Sequence, residues 1–384
     1  MFEVFSNLID QAPVIEILQE ATKSAKDSTD ETQAMTHAWL FTGPPGSGRS
    51  NAALAFAAAL VCPDSGCGHC NHCTTALSGV HADVELIRTE GLSIKIDEIR
   101  ELIVRASWSP SVATYRVVII EDADRLTESA ANALLKAVEE PGLRTVWLLC
   151  APTLSDVLPT IRSRTRNLTL RTPSSQAVSD LLQREEISQS MAEFAARTSQ
   201  GHVGRARYLA RSQEARDRRS AILKLPMAIS DISSAYKAAQ LLVDAAKKEA
   251  EEEAEKRDDK EIHDLKEAWG QTGSKLSQGG SKAVKELEKE QKSRSTRMVR
   301  DFLDRALLDI ASFYRDILLV QSQGTDISDA IINSDMAVEI YRLAGVTTPE
   351  NTLAKIEAIM RTRTNLSHNA NTLLSIEALM VQLR

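Results

Sequence analysis

The stretch Gly43-Pro44-Pro45-Gly46-Ser47-Gly48-Arg49-Ser50 constrains this chain more than any other. The apolar run Ala38-Trp39-Leu40-Phe41 before it reads as a short buried strand, and the alanine-rich run Ser50–Val61 after it reads as a helix. Glycines at 43, 46 and 48 allow positive φ and close approach, so consecutive backbone N–H groups can turn toward one anion. The pattern is a phosphate-binding loop with one exception. Arg49 stands where lysine reaches the β- and γ-phosphates, while Ser50 stands where a hydroxyl holds Mg²⁺. Arginine keeps the charge, but its planar fork is not a compact ammonium. ATP with Mg²⁺ is the implied ligand, and hydrolysis is the step that this substitution is expected to impair.

A second strand signal, Val117-Val118-Ile119-Ile120, ends in Glu121-Asp122-Ala123-Asp124. Carboxylates at the end of a buried strand are what a phosphate-loop site places beside Mg²⁺ and the attacking water. The usual order is Asp then Glu, and Glu121 followed by Asp122 reverses it, a second departure at the same site. Cys62, Cys67, Cys70 and Cys73 supply four thiolates within twelve residues, with Gly66, Gly68, Pro63 and Asp64 giving the turns needed to wrap one tetrahedral Zn²⁺. His69 and His72 lie between the cysteines and are alternatives to Cys62 as the fourth ligand. Cys150, within the apolar run Val146–Cys150, reads as core.

At 384 residues the chain exceeds one ordinary core, and 43% hydrophobic with 26% charged residues predicts a soluble protein of two or three domains. No segment approaches a membrane span, and the N-terminus has no leader pattern, so a cytoplasmic protein without membrane partners is expected. Five cysteines there read as thiols or metal ligands rather than disulfides. A net charge of −7 offers no global attraction to nucleic acid. No Lys or Arg falls between Val61 and Ile87, which disfavours a zinc-dependent nucleic-acid-binding module with a vestigial phosphate loop.

Alternation of apolar runs with helical patterns over residues 1–172 predicts a parallel sheet wrapped by helices. Strand signals then stop. Amphipathic segments at Ala177–Gln183 and Met191–Thr198 and a turn at Gly201–Gly204 define a small helical region, 173–212. Residues 213–384 read as helical, with a charged stretch at about 245–295 broken from Gly270 to Gly280. That stretch is either a helical hairpin that docks a partner or a solvated insertion. Leu303, Leu307, Ile310, Tyr314 and Ile317 form an apolar stripe expected to pack inside a bundle.

Taken together, GPPGSGRS, the cysteine cluster after the loop's helix, VVIIEDADRL, the helix Glu128–Pro141 and LPTIRSRT resemble the delta-prime subunits of bacterial DNA polymerase III clamp loaders, members of the AAA+ family. The resemblance is close over residues 1 to about 210 and looser beyond. It implies a RecA-like α/β AAA+ domain (1–172) with a zinc module (62–73), a helical lid (173–212), and an all-α collar (213–384). It also implies a role in loading the sliding clamp onto primer-template DNA during replication, within the DNA-directed DNA polymerase assembly and beside gamma/tau and delta subunits. Ser163-Arg164 matches the family's Ser-Arg-Cys motif, which makes Arg164 an arginine finger acting in trans on a neighbouring ATP site. Thr165 replaces the usual cysteine. Thr153 stands near the sensor 1 position, with Pro152 a third departure, and Arg205 lies within one residue of the sensor 2 arginine, where Gly204 competes for the place. The chain's own ATPase is then expected to be weak or absent. The alternative within the family is an ATP-hydrolysing gamma/tau-type subunit.

Overall fold

In the computed structural model, residues 2–27, 34–89, 91–142, 144–268, 278–324, 330–368 and 370–384 are described. The chain divides into two compact units, 1–210 and 211–384.

The first unit is built on five parallel strands: β1 (Ala38–Thr42), β2 (Val84–Ile87), β3 (Arg116–Ile120), β4 (Thr145–Ala151) and β5 (Arg166–Thr169), in the order β2-β3-β4-β1-β5. In register, Leu40 lies beside Leu149 and Asn167, and Ile119 beside Leu148. Parallel strands need helical crossovers, and these cover both faces of the sheet. Trp39, Phe41, Val117, Ile119, Leu148 and Cys150 belong to one core with α1 (Ala12–Lys26), α2 (Arg49–Val61) and α3 (Asn71–Leu77). Leu40, Val118, Ile120, Trp147 and Leu149 belong to the other, with α4 (Ile96–Ala106) and α5 (Glu128–Glu139). The period-two alternation along each strand thus splits its apolar residues between two cores. Every residue of α2 from Ala52 to Val61 is buried, and the alanines let this helix lie close against its neighbours on all sides.

β2 has a single fully buried residue and occupies a sheet edge, so its sequence carries little strand signal. A short α6 (Pro159–Arg162) leads into β5, and α7 (Ser175–Arg184), α8 (Gln189–Thr198) and α9 (Val203–Arg211) follow. Both amphipathic segments expected here lie within α7 and α8. The turn expected at Gly201–Gly204 is shorter than anticipated. Gly201 has φ +84°, but Val203 already opens α9, with Gly204 and Arg205 in its first turn.

The second unit is helical: α10 (Gln213–Lys224), α11 (Ile232–Ala268), α12 (Gln278–Gln323), α13 (Ala337–Val346), α14 (Pro349–Ser367) and α15 (Thr372–Gln382). Leu303, Leu307, Ile310, Tyr314 and Ile317 are all buried against α11 and the later helices, as the stripe predicts. Arg219 is buried between Asp309 and Asp335 and donates to Asn333, while Asp316 accepts from the backbone N–H and side-chain amide of Asn333.

The 245–295 stretch is the outer part of α11 and α12, which pair antiparallel through Arg305 with Glu249 and Arg294 with Asp258 and Glu261. The interruption expected over Gly270–Gly280 is shorter. α12 begins at Gln278 and takes in Gly279 and Gly280, while residues 269–277 lie outside the described residues. No described helix is long and apolar enough to cross a membrane.

Candidate functional site

Helix α2 carries a candidate site at each end. At its N-terminus Gly48 takes φ +90°, placing the chain in the left-handed region just before the first helical residue. Gly46 at φ +85° makes the preceding bend. The loop is anchored by Gly43 N–H donating to Pro152 O (3.1 Å) and Ser47 N–H donating to Pro44 O (3.1 Å). Because β1 and β3 both run parallel to the β4 between them, the loop after β1 and the acids after β3 reach the same carboxyl edge of the sheet. In open α/β sheets that edge is where ligands bind.

A cavity of about 470 Å³ opens beside the loop, a size suited to a small-molecule ligand. Gly46, Ser47, Gly48, Arg49 and Ser50 line one side. Val4, Asn7, Leu8 and Ile9 from the chain's start line another, and His202, Val203, Gly204 and Arg207 a third. Ser47 Oγ is buried with no hydrogen-bond partner among the described residues. An orphaned hydroxyl in a wall of helix N-terminal amides fits a phosphate.

The side chains that would act on a terminal phosphate are otherwise engaged. Arg49 Nη1 donates to Gly43 O at 2.7 Å, bending back over its own loop. Glu121 pairs with Arg88 at 2.8 Å through Oε2, while its Oε1 is buried without a partner among the described residues. Burial, and then the neighbouring Asp122 carboxylate, raise the pKa of Asp124, and Arg49 is close enough to oppose them. Thr153 is exposed and closes a local turn, its N–H donating to Asp156 Oδ2 at 2.9 Å. Arg205 does not line the cavity, and its backbone N–H donates to His202 Nδ1 at 3.2 Å. Arg207 lines it instead and is paired with Glu185 at 2.6 Å.

Sequence reasoning missed the N-terminal wall, His202 and Arg207. No motif marks the first, and the other two are placed by tertiary packing. A Cβ on Gly46 would lie 2.5 Å from His202 Cγ, so glycine there is what admits the histidine.

At the other end of α2, Cys62 is the C-cap, and Lys26 donates to its carbonyl oxygen. Ser65, Gly66 and Gly68 take positive φ and turn the chain back, and Cys70 then caps α3 by accepting from Cys73 N–H. The sulfur–sulfur separations are 3.8 Å for Cys62–Cys67, 3.7 Å for Cys62–Cys70 and 4.0 Å for Cys67–Cys73, and all four sulfurs lie within 4.8 Å of one another. A tetrahedral ion with metal–sulfur bonds of about 2.3 Å has sulfur–sulfur edges of about 3.8 Å, so the cluster is shaped to hold one.

The histidines are not ligands in this arrangement. His69 is exposed and bonded to Cys67 O, and His72 Nδ1 lies 2.9 Å from His81 Nε2. Burial raises the Cys62 thiol pKa, but the backbone N–H groups of Cys67 and Gly66 outweigh it and bring it down to about 7. Cys150 is a core residue with its pKa pushed up by burial.

Arg164, just past α6, is half-exposed. Its Nε lies 2.5 Å from Glu139 Oε1, and its Nη1 donates to Thr160 O (2.9 Å) and Ser163 Oγ (3.1 Å).

The sheet order, the glycine loop after β1 and the acids after β3 define a RecA-like, AAA+-related phosphate-loop domain. Over residues 18–174 the chain matches the family described as DNA polymerase III, delta subunit. It is 34% identical over 198 residues to DNA polymerase III subunit delta′ of Bacillus subtilis, across 51% of this chain and 60% of that protein. It is also 34% identical over 142 residues to subunit gamma/tau of Mycobacterium tuberculosis, across 36% of this chain and 25% of that one. A solved Thermotoga maritima protein described as DNA polymerase III, gamma subunit-related aligns at 18% identity with a TM-score of 0.42, over 98% of this chain and 99% of that one. The curated matches thus span 60% or less of their relatives' lengths.

Proposed function

We propose that the chain is a delta-prime-type clamp-loader subunit, working within a DNA polymerase III assembly to help place a sliding clamp on primer-template DNA. The reading extends the family match at 18–174 to the whole chain. The 173–212 segment is then the lid, and 213–384 the collar that joins gamma/tau and delta subunits. Its own nucleotide site is non-hydrolysing, and its contribution to catalysis is Arg164, offered to ATP held by a neighbour.

The observation that carries this reading is the contrast between two arginines. Arg49 is turned onto its own loop at Gly43 O. Arg164 is half-exposed and held by Glu139 and Thr160 O in one orientation. A guanidinium on a rigid tether can stabilise phosphoryl-transfer charge in a partner without reorganising at the moment of reaction. The four cysteines hold Zn²⁺ as a structural brace. When bound, the ion would cross-link the end of α2 to α3, and the cysteines themselves supply the tetrahedral cage.

Arg164→Ala tests the finger. In a mixture with gamma/tau, delta, clamp and primed DNA, it is expected to leave assembly intact and to lower DNA-stimulated ATP hydrolysis by about 10³-fold at the dependent site. Unchanged hydrolysis would overturn the assignment.

The 34% match to a gamma/tau subunit supports a second reading, an ATP-hydrolysing subunit in which Arg49 replaces lysine. Under it, the isolated chain turns over ATP.

A further inference from the structure

Four thiolates around one divalent ion leave a net negative charge in a partly buried cage, and such charge is costly unless something offsets it. The chain around the cysteines supplies little to do so. No Lys or Arg falls between Val61 and Ile87, Asp64 lies within the module, and Glu3 packs against Gly68. Cys70 and Cys73 stand at the start of α3, but Cys62 is the C-cap of α2, the end at which aligned peptide dipoles place partial negative charge.

Lys26 reaches that end from outside the module. It is the last residue of α1, and its Nζ donates to Cys62 O and, at 3.2 Å, to Pro63 O. Its stem is exposed, whereas Cys62 is buried, so the side chain carries a positive charge from the surface to the rim of the sulfur cluster. Desolvation of the amine lowers its pKa, and the charges of Cys62, Asp64, Cys73 and Cys70 oppose the fall, which places Lys26 within electrostatic reach of three of the four sulfurs.

We propose, resting on the reading that the four cysteines hold Zn²⁺, that Lys26 is the counter-charge of the cage. It is a positioning residue that fixes the turn at Cys62 through the two carbonyls, and its charge sets how tightly the ion is held. A neutral donor in its place would close the turn without supporting the metal.

The test is competition for Zn²⁺ between the full chain and a chromophoric chelator, in the wild type, Lys26→Gln and Lys26→Arg. Glutamine keeps an N–H donor without the charge, and arginine keeps both. Lys26→Gln is expected to weaken zinc binding about tenfold, the lower end of what partners of metal ligands contribute, because the side chain is exposed. Lys26→Arg is expected to stay within about threefold of the wild type. The deficit of Lys26→Gln should shrink as ionic strength rises from about 0.05 M to about 1 M, since salt screens an exposed charge. The thiolate-to-metal absorption of the Co²⁺-loaded chain should be the same in all three proteins, and the unfolding midpoint of the metal-free chain should not fall.

A loss shared by Lys26→Arg, a deficit that salt leaves unchanged, or an altered Co²⁺ spectrum in Lys26→Gln would make Lys26 a structural cap and overturn the proposal. A wild type that takes up no metal would defeat the zinc reading, and this inference with it. Zinc held equally by the wild type and Lys26→Gln would defeat this inference alone.

Discussion

The two ends of α2 met opposite fates. At the C-terminal end, four cysteines keep the ligand type and the sulfur spacing that a tetrahedral ion requires. At the N-terminal end the loop keeps its backbone, while the charged side chains that act on a terminal phosphate have been replaced or drawn into other pairs. On the non-hydrolysing reading, the difference teaches that a fold can retain the shape of a nucleotide site while its acting side chains are paired elsewhere. Gly43 and Gly46 are fixed by close neighbours, at 2.7 and 2.5 Å from an added Cβ, whereas Arg49 and Glu121 are held by polar contacts to Gly43 O and Arg88.

The two ends are also linked through Val4. The cysteine turn packs on the chain's first residues, with Val4 N–H donating to Gly66 O at 3.3 Å, and Val4 lines the cavity beside the loop. A Cβ on Gly66 would meet Val4 Cγ2 at 2.7 Å. On the proposed reading, a metal held by the cysteines would brace one wall of the nucleotide site.

The largest predicted effect is removal of the metal. Replacing Cys67 and Cys70 together by serine, or stripping the ion with a chelator, is expected to lower stability by several kcal/mol, roughly a third of the 10–16 kcal/mol that such ions supply to small zinc peptides, because here a folded sheet remains. The checks are thermal unfolding with elemental analysis, and nucleotide affinity should fall in parallel through Val4. A chain with no bound metal and an unchanged midpoint would break the contrast between the two ends.

Next comes Asp83, where the chain from the cysteine module enters β2. Its carboxylate is buried and accepts from the N–H groups of Ser111, Val112 and Ala113 at 2.6, 2.8 and 2.8 Å. Burial alone would raise its pKa, but the three donors outweigh it and hold the group below the usual range. A carboxylate whose folded pKa is depressed contributes its full stability above its unfolded pKa of about 3.9 and loses it as pH falls toward the folded value. Unfolding midpoints should therefore drop below about pH 4 more steeply in the wild type than in Asp83→Asn. That variant should cost about 2–3 kcal/mol at neutral pH.

Gly46→Ala is expected to cost about 1–3 kcal/mol, from the positive φ and the collision with His202. Combining it with His202→Gly should recover the part due to the collision and leave the part due to φ, as a double-mutant cycle would show. Full additivity would mean that the two residues do not touch. Smallest is Arg49→Lys, expected to change stability by no more than about 0.5 kcal/mol. It should also fail to restore ATP hydrolysis on its own, because Glu121 remains paired with Arg88.

Much of this was legible in the sequence because it is local. The strand Ala38–Thr42, the glycine bends and the alanine helix are contiguous, and so are the four cysteines, so their geometry follows from spacing and backbone preference. Val117–Ile120 with its acids was legible for the same reason. The pairs that set the site's chemistry join distant positions. Glu121 meets Arg88 across neighbouring strands, Arg164 meets Glu139 at the end of α5, and His202 reaches Gly46 from the start of α9. No periodicity encodes such meetings. They depend on strand order and on helix docking, which single residues report only after the fold is assembled. The half-exposed β2 was hidden for a simpler reason, since an edge strand need not be apolar.

The most direct test is steady-state ATP turnover by the isolated, metal-replete chain. The account predicts turnover indistinguishable from a no-protein control, with nucleotide bound. Sustained hydrolysis that Arg49→Ala abolishes would contradict it and make this chain a motor in its own right.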